Sequence, residues 1–300
     1  MNDNVYIFRQ GDYKNIGNML MNKDSMACED CLLGMYVWKD RYGLKLIKTA
    51  DSFFIHCSNF STFTVPVPYL TENALGKMKS ITDDITLVRV TEKDREDIER
   101  DFSGQFEFTE DTGSFDYIYD IEALATLKGK KLAKKRNHVN GFLNTYPDWH
   151  IEEIGFENLP KCRDFITMWY YEKIQREEET AVDSLLAEKN SLFNVIENYD
   201  AVRADGIALF IGDEIAAITI GQRISRHTYD VVFEKANEDI KGAYNMINRE
   251  FARFISEKYP HVKYFNREND LNIEGLRHAK MSYRPAMLLK KYTAKYIGDK

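Results

Sequence analysis

Nowhere in the 300 residues do about eighteen apolar positions run together, and the N-terminus is not a charged stretch leading into an apolar one. That pattern provides neither a membrane span nor a secretory leader, and it predicts a cytoplasmic chain. Cysteine is scarce. The four residues fit a reducing compartment, and although Cys28 and Cys31 form a C-x-x-C, Cys57 and Cys162 stand apart, so no second pair completes a zinc set and no metal is expected. The six histidines are scattered without an H-E-x-x-H, and there is neither a P-loop nor a dinucleotide glycine fingerprint. Six prolines and no low-complexity tract leave no flexible linker, so any two domains are expected to pack together. What is present is an ordinary globular composition, 44% hydrophobic and 30% charged, enough for a substantial core. The net charge of -7 argues against a general nucleic-acid coat protein but allows a local basic patch.

Three hundred residues suggest two domains. In the first half a helix is expected at 13–22. Alternation then predicts four short strands at 35–39, 44–49, 52–57 and 62–67, turning at Tyr42 with Gly43 and at Ala50 with Asp51. Thr71 caps a helix to Lys79, 85–90 is a buried strand, Thr91 caps a charged helix to about Arg100, and 105–109 is a further strand. The second half reads strand 149–156, helices 158–176 and 183–199, strands 206–212, 214–223 and 227–235, a helix from Ala243, strand 262–265, helix 273–281 and a final strand 285–296. The fold class is α/β of the α+β kind.

Two stretches carry chemistry. From His227 to Phe254 a strand, a polar loop and an amphipathic helix follow without a break, with Gly242 at the turn into the helix. A helix opened by a small residue leaves its first N–H groups free for a phosphate, although an ordinary surface turn has the same pattern. From Lys128 to His138 lies the densest positive charge in an acidic protein, within a helix spanning 130–146. On a helical projection Lys135 and Arg136 fall in or beside the apolar stripe of Leu132, Val139, Phe142 and Leu143, which calls for a paired charge or a cavity holding an anion. The alternatives are a solvated helix with snorkelling side chains, or one that aims Lys135, Arg136 and Asn137 at a phosphate or acidic substrate.

The order of the second half, with its loop between fourth strand and third helix, resembles the GNAT acyltransferase fold. The residues Asp116, Lys128, Gly129, Lys130, Arg136, Asn137 and His138, with Asn266, Arg267, Glu268, Gly275, Leu276, Arg277, Lys280, Ser282, Tyr283 and Pro285, resemble the bacterial family named for the C-terminal domain of phosphatidylglycerol lysyltransferase. The resemblance covers essentially the whole chain. It implies two fused GNAT-like domains, 1–146 and 147–300, each a mixed, mostly antiparallel twisted sheet flanked by helices, related to the Fem-type aminoacyltransferases. It also implies a transferase that moves an aminoacyl or acyl group from an aminoacyl-tRNA or an acyl-CoA to an amine acceptor. A non-catalytic protein of the same fold, binding a nucleotide, a tRNA end or another polyanion, is the alternative. In such a site Lys280 stabilises negative charge at the reacting centre, Glu234 is a base or a rim carboxylate paired to Lys235 or Arg267, and Tyr283 protonates a leaving group or packs. Lys235, Lys241, Gly242 and Ala243 would take donor phosphates, though the acids Glu238 and Asp239 beside them repel a pyrophosphate. Asn266, Arg267 and Glu268 close a strand beside the cleft, and Arg277 shares a helix face with Lys280, so these four join Lys135, Arg136 and Asn137 as substrate contacts.

Overall fold

A computed structural model describes residues 5–7, 12–176 and 179–298. The first half runs β1 (Val5–Ile7), α1 (Asp12–Lys23), a 3-10 turn (Cys28–Asp30), α2 (Leu32–Tyr42), β2 (Leu44–Lys48), β3 (Phe53–Cys57), β4 (Thr62–Thr64), α3 (Glu72–Lys79), β5 (Thr86–Thr91), α4 (Glu92–Asp101), β6 (Phe106–Glu110), β7 (Asp116–Asp120), α5 (Ile121–Thr126) and α6 (Ala133–Thr145). The second half runs β8 (Trp149–Glu153), α7 (Leu159–Arg176), α8 (Glu179–Glu197), α9 (Tyr199–Val202), β9 (Asp205–Ile211), β10 (Glu214–Arg223), β11 (Thr228–Ala236), α10 (Ala243–Lys258), β12 (Tyr264–Asn266), α11 (Glu274–Met281), β13 (Met287–Leu289) and β14 (Lys291–Tyr296).

Local chemistry sets many of these ends. Thr71 accepts the Ala74 N–H at 3.2 Å to start α3, and Thr91 with Asp94 forms a reciprocal capping box on α4. The strand expected at 35–39 is helical instead, inside α2. Its apolar run is short enough to fit either period, and Leu33, Gly34, Met35, Tyr36 and Val37 are all buried, so burial along it follows neither. Gly43, at φ 60, ends the helix in a left-handed turn, its N–H on the Lys39 carbonyl.

The fold is two mixed, mostly antiparallel sheets flanked by helices, and both sheets share one strand plan. The first is ordered β1-β2-β3-β4-β5-β14-β6 and the second, read from its other edge, β8-β9-β10-β11-β12-β7-β13. In each, four strands run antiparallel, the fourth pairs in parallel with the fifth, and a borrowed strand sits between the fifth and the last. The borrowing is reciprocal. β7, from the first half, completes the second sheet, and β14, from the C-terminal end, completes the first. The expected boundary at 146/147 therefore divides the chain but not the sheets. The single final strand expected at 285–296 is two strands, β13 and β14, in different sheets, because the chain crosses between them at Lys290.

Three apolar clusters hold the layers. One packs α3 and α4 on the outer face of the first sheet, and another packs α5, α6 and α10 on the outer face of the second. The third lies between the halves, where Leu33, Leu46 and Ile55 meet Tyr170, Leu192, Ile218 and Phe233.

The crossing is pinned by charge. Lys291, the first residue of β14, and Asp116, the first of β7, are both fully buried, with Nζ 2.7 Å from Oδ1. The same ammonium reaches Glu29 at 2.5 Å and the Cys28 thiol at 3.6 Å. Breaking a buried pair leaves an uncompensated charge. Lys291→Met is therefore expected to cost about 3–5 kcal/mol in urea unfolding, and Lys291→Met with Asp116→Leu to recover most of it. A single variant as stable as the parent would remove the pair from this role.

Candidate functional site

The candidate site lies where β11 and β12 part. They pair for only three residues, Thr228–Asp230 beside Tyr264–Asn266, after which β11 continues along β10 to Ala236. A bulge follows at once. Gly221 of β10 opposes Val231 and Ile220 opposes Phe233, so Val232 is an extra residue in β11. Gly221 is required there, because a Cβ would lie 2.1 Å from the Asp230 carbonyl oxygen. The bulge also changes which way side chains point. Asp230 and Glu234, expected on one face of a regular strand, are directed apart: Asp230 toward the Cys31 thiol of the first half, Glu234 toward α10.

On the α10 side, the space between the parted strands is filled by polar side chains. Arg267 Nη2 lies 2.7 Å from Glu234 Oε1, and Asn248 Nδ2 donates to the other Glu234 oxygen at 3.2 Å. The Arg267 guanidinium is 5.2 Å from the Tyr283 ring centre, and Lys135 Nζ is 3.9 Å from it. Tyr283 Oη accepts from Asn245 Nδ2 at 2.6 Å. Burial, then the charges of Arg267 and Lys134, lower the Lys135 pKa to about 8. Burial pushes the Tyr283 phenol up to about 12, so it stays protonated.

On the side facing the first half lies an acidic chamber. Asn266 Nδ2 donates to Asp116 Oδ2 and to the Met26 carbonyl, both at 2.7 Å. Glu268 sits in a left-handed backbone conformation, φ 55, and its N–H donates to Asn266 Oδ1 at 2.6 Å. Burial, reinforced by Asp116 and Glu29 against the opposing Lys280, raises the Glu268 pKa to about 7. Asp230 is fully buried, and neither of its oxygens has a formed hydrogen bond among the described residues. Burial, then the charges of Glu268 and Asp116, holds its carboxyl well above the usual range. Cys28 and Cys31 are likewise kept as thiols, mainly by burial. Cys28, Glu29 and Asp116 cluster closely enough to ligate a metal, but the Lys291 ammonium contacts all three.

Lys280 joins the two sides. It projects from α11, a helix with no buried residue by whole-residue exposure, yet its ammonium donates to the Arg267 and Glu268 carbonyls. Burial, then Arg267, lowers its pKa.

Other expected contacts are engaged elsewhere. Arg136 Nη1 donates to the Leu127 carbonyl at 2.6 Å and the Gly129 carbonyl at 3.2 Å, closing the end of α5, and Asn137 is exposed. Arg277 grips Asp270 with two hydrogen bonds, at 2.7 and 3.1 Å, rather than sharing an anion with Lys280. Lys235 pairs with Glu188 at 2.9 Å over the Trp169 ring. Gly242 has φ 92, and a Cβ there would lie 2.8 Å from the His138 carbonyl, so α6 covers the start of α10. The Ala243 N–H is bonded to Ile240, and the loop acid Glu238 faces Lys173 and Arg176. Lys241 is exposed; with Lys128, Lys130, Lys131, Lys134 and Lys135 it has no carboxylate partner among the described residues. Its charge, with those of Lys134 and Lys135, lowers the His138 pKa after burial, so these cations stand together. The sequence reading missed Asp230, Asp116, Glu29 and Lys291 as site residues. The available signal was a carboxylate inside an otherwise apolar central strand at 229–233.

The model of the family described as phosphatidylglycerol lysyltransferase, C-terminal, matches residues 23–295. A conserved protein of unknown function from Bacteroides thetaiotaomicron superposes with a TM-score of 0.88 at 33% identity, over 98% of this chain and 99% of that one. The C-terminal domain of a putative lysylphosphatidylglycerol synthetase from Agrobacterium fabrum shares the fold at 14% identity, with a TM-score of 0.64 over 96% and 92% of the two chains. An uncharacterized protein of Mycoplasmoides gallisepticum is 25% identical over 189 residues, 61% of this chain and 57% of its own length.

The raised Glu268 pKa has a measurable sign. A carboxyl that ionises at about 7 when folded and near 4.5 when unfolded stabilises the fold at low pH. Relative to Glu268→Gln, the parent should lose roughly 3 kcal/mol as pH rises through that window. Urea unfolding of both proteins from pH 4 to 8 measures this, and parallel curves would remove the shift.

Proposed function

The chain belongs to the phosphatidylglycerol lysyltransferase C-terminal family, and from that membership and the acidic chamber we propose that it transfers an aminoacyl group from an aminoacyl-tRNA to an acceptor amine. The observation that carries this reading is Asp230, a fully buried carboxyl that faces the weak donor of the Cys31 thiol and has no geometrically formed hydrogen bond on either oxygen among the described residues. A buried polar group left unsatisfied is costly, and an ammonium entering the chamber would satisfy it. Asp116, Glu29, Asp230 and Glu268 face Lys280, Lys291 and, on Glu29 at 3.7 Å, Arg89, which leaves Asp230 as the carboxyl without an ion-pair partner among the described residues. The α-amino group of an aminoacyl donor supplies one.

In this reading Asp230 holds the donor's α-amino group, and Glu268, titrating near neutrality, takes the proton from the attacking acceptor amine. Lys280 stabilises the oxyanion as the tetrahedral intermediate forms, and the ester bond to the tRNA breaks as the ribose oxygen leaves with the proton that Glu268 took from the amine. Glu234, engaged by Arg267 and Asn248, positions Arg267 instead of acting as base. The lysines around α6, without a carboxylate partner among the described residues, supply a surface for the tRNA phosphates. Acyl-CoA suits the site less well, since α6 covers the start of α10 and the Arg267–Glu234 pair lies between the parted strands.

Incubation with a mixture of charged tRNAs and a panel of amines, followed by mass spectrometry of the products, tests the reading. Transfer is expected, with Lys280→Met lowering the rate by on the order of 10²-fold or more and Asp230→Asn abolishing it while uncharged tRNA still binds. Binding without turnover would favour the non-catalytic alternative. Transfer from acetyl-CoA and none from tRNA would sink the proposal.

A further inference from the structure

Helix α7 packs on the face of the second sheet opposite to α10, and its outer side belongs to no step of the transfer chemistry. There Asp164, Phe165, Met168, Trp169 and Glu172 recur at three- and four-residue spacing and so share one helix face. That face looks onto the turn between β9 and β10 and the loop between β11 and α10, across a cavity of about 460 Å³. Small-ligand pockets run from roughly 300 to 1,000 Å³.

The floor of the cavity is apolar. Phe165, Trp169 and Ile215 continue the cluster between the halves, and Met168 is 63% exposed. Trp169 is a fixed wall, because its Nε1 donates to the Ala236 carbonyl at 2.9 Å. The rim is acidic: Asp164, Glu172, Asp213 and Glu214 have no ion-pair partner among the described residues. Lys161 is the one cation among the lining residues, and its ammonium donates to the Asp213 carbonyl at 3.3 Å. Water alone satisfies exposed carboxylates, but it does not satisfy the apolar floor enclosed by them. An apolar floor inside a rim of one sign selects a cation with an apolar body. The same sign excludes phosphate-bearing ligands and sets this cavity apart from the lysines around α6.

The acids stand at both ends. Lys161 ties Asp213 to the start of α7, one turn before Asp164, whereas Glu172 lies about 12 Å further along the helix, at roughly 1.5 Å per residue. Lys235 Nζ already sits 4.5 Å from the Trp169 ring centre, so a ligand's charges go to the carboxylates and its chain to the floor.

We propose that this cavity binds a linear polyamine, with one ammonium group among Asp164, Asp213 and Glu214, another on Glu172, and the methylene chain over Phe165, Met168 and Ile215. The site is separate from the acidic chamber and stands independently of the transfer reading.

Calorimetry of the full-length protein with spermidine at fixed ionic strength tests it. Spermidine is expected to bind more tightly than putrescine, whose shorter chain reaches one end only, and than magnesium, which has no apolar body. Asp164→Asn combined with Glu172→Gln should weaken spermidine binding by on the order of tenfold, as for the loss of two surface ion pairs, and leave urea unfolding unchanged. Of the three tryptophans only Trp169 lines the cavity, so the fluorescence change on adding spermidine should vanish in Trp169→Phe. Absence of binding at millimolar spermidine, equal binding in the double variant, or equal affinity for putrescine overturns the site. So does displacement of spermidine by an equal charge of magnesium. Tighter binding of a tetralysine peptide overturns the small-molecule occupant in favour of a protein segment.

Discussion

The buried pair between Lys291 and Asp116 is the constraint from which the rest of the molecule follows. Each residue opens a strand that has left its own half to complete the other's sheet, and the two strands cross where the charges meet. Two ions that are both fully buried are costly to desolvate, so the pair is weak as a source of stability on its own. Its value lies in register. An apolar pair would tolerate a slip of β14 against β5 and β6, whereas a one-residue shift would separate this ammonium from its carboxylate.

That pinning also builds the site. Asp116 receives Asn266 from β12, and Asn266 in turn receives the Glu268 N–H, so the ion pair at the crossing fixes the backbone from which Arg267 and Glu268 project. The bulge at Val232 contributes the other wall by sending Asp230 toward the first half and Glu234 toward α10. A single three-residue parallel pairing is thus flanked by two chambers of opposite character, one rich in carboxylates and the other in cations. Lys280 spans them from a helix that is otherwise at the surface. Neither chamber could be formed by one half alone, since Cys28, Glu29, Cys31 and Lys135 precede residue 147 while Asp230, Arg267 and Lys280 follow it.

Much of the fold was legible because its elements carry local signals. The caps at Thr71 and Thr91, the long periodic helix from Ala243 and the strand order of the second half all follow from spacing and side-chain chemistry. The helix at α2 was misread because five residues cannot distinguish a period of 2 from one of 3.6. The exchange of β7 and β14 was not legible at all. Both strands have the composition of an ordinary strand in their own half, and only the buried Lys291 distinguishes the last one.

The candidate site divides in the same way. Asn266, Arg267, Glu268 and Lys280, which the structure brings together at the parted strands, stand out in the sequence because strand ends beside a cleft and a lysine on a short helix are local features. Arg136 is instead bonded to two carbonyls at the end of α5, which a helical projection cannot show because it gives only the face a cation occupies. Glu234 reads in the sequence as a base or as a rim carboxylate paired to Lys235 or Arg267; the structure pairs it with Arg267, and one extra residue in β11 turns it away from Asp230. The carboxyl raised to about 7 is Glu268, whose position depends on a left-handed backbone, on Asn266 and on an ion pair closed by a residue near the far end of the chain. Reactivity at this site is therefore a tertiary property. The residue types were present in the sequence, but their protonation is set by neighbours that only the exchanged strands bring together.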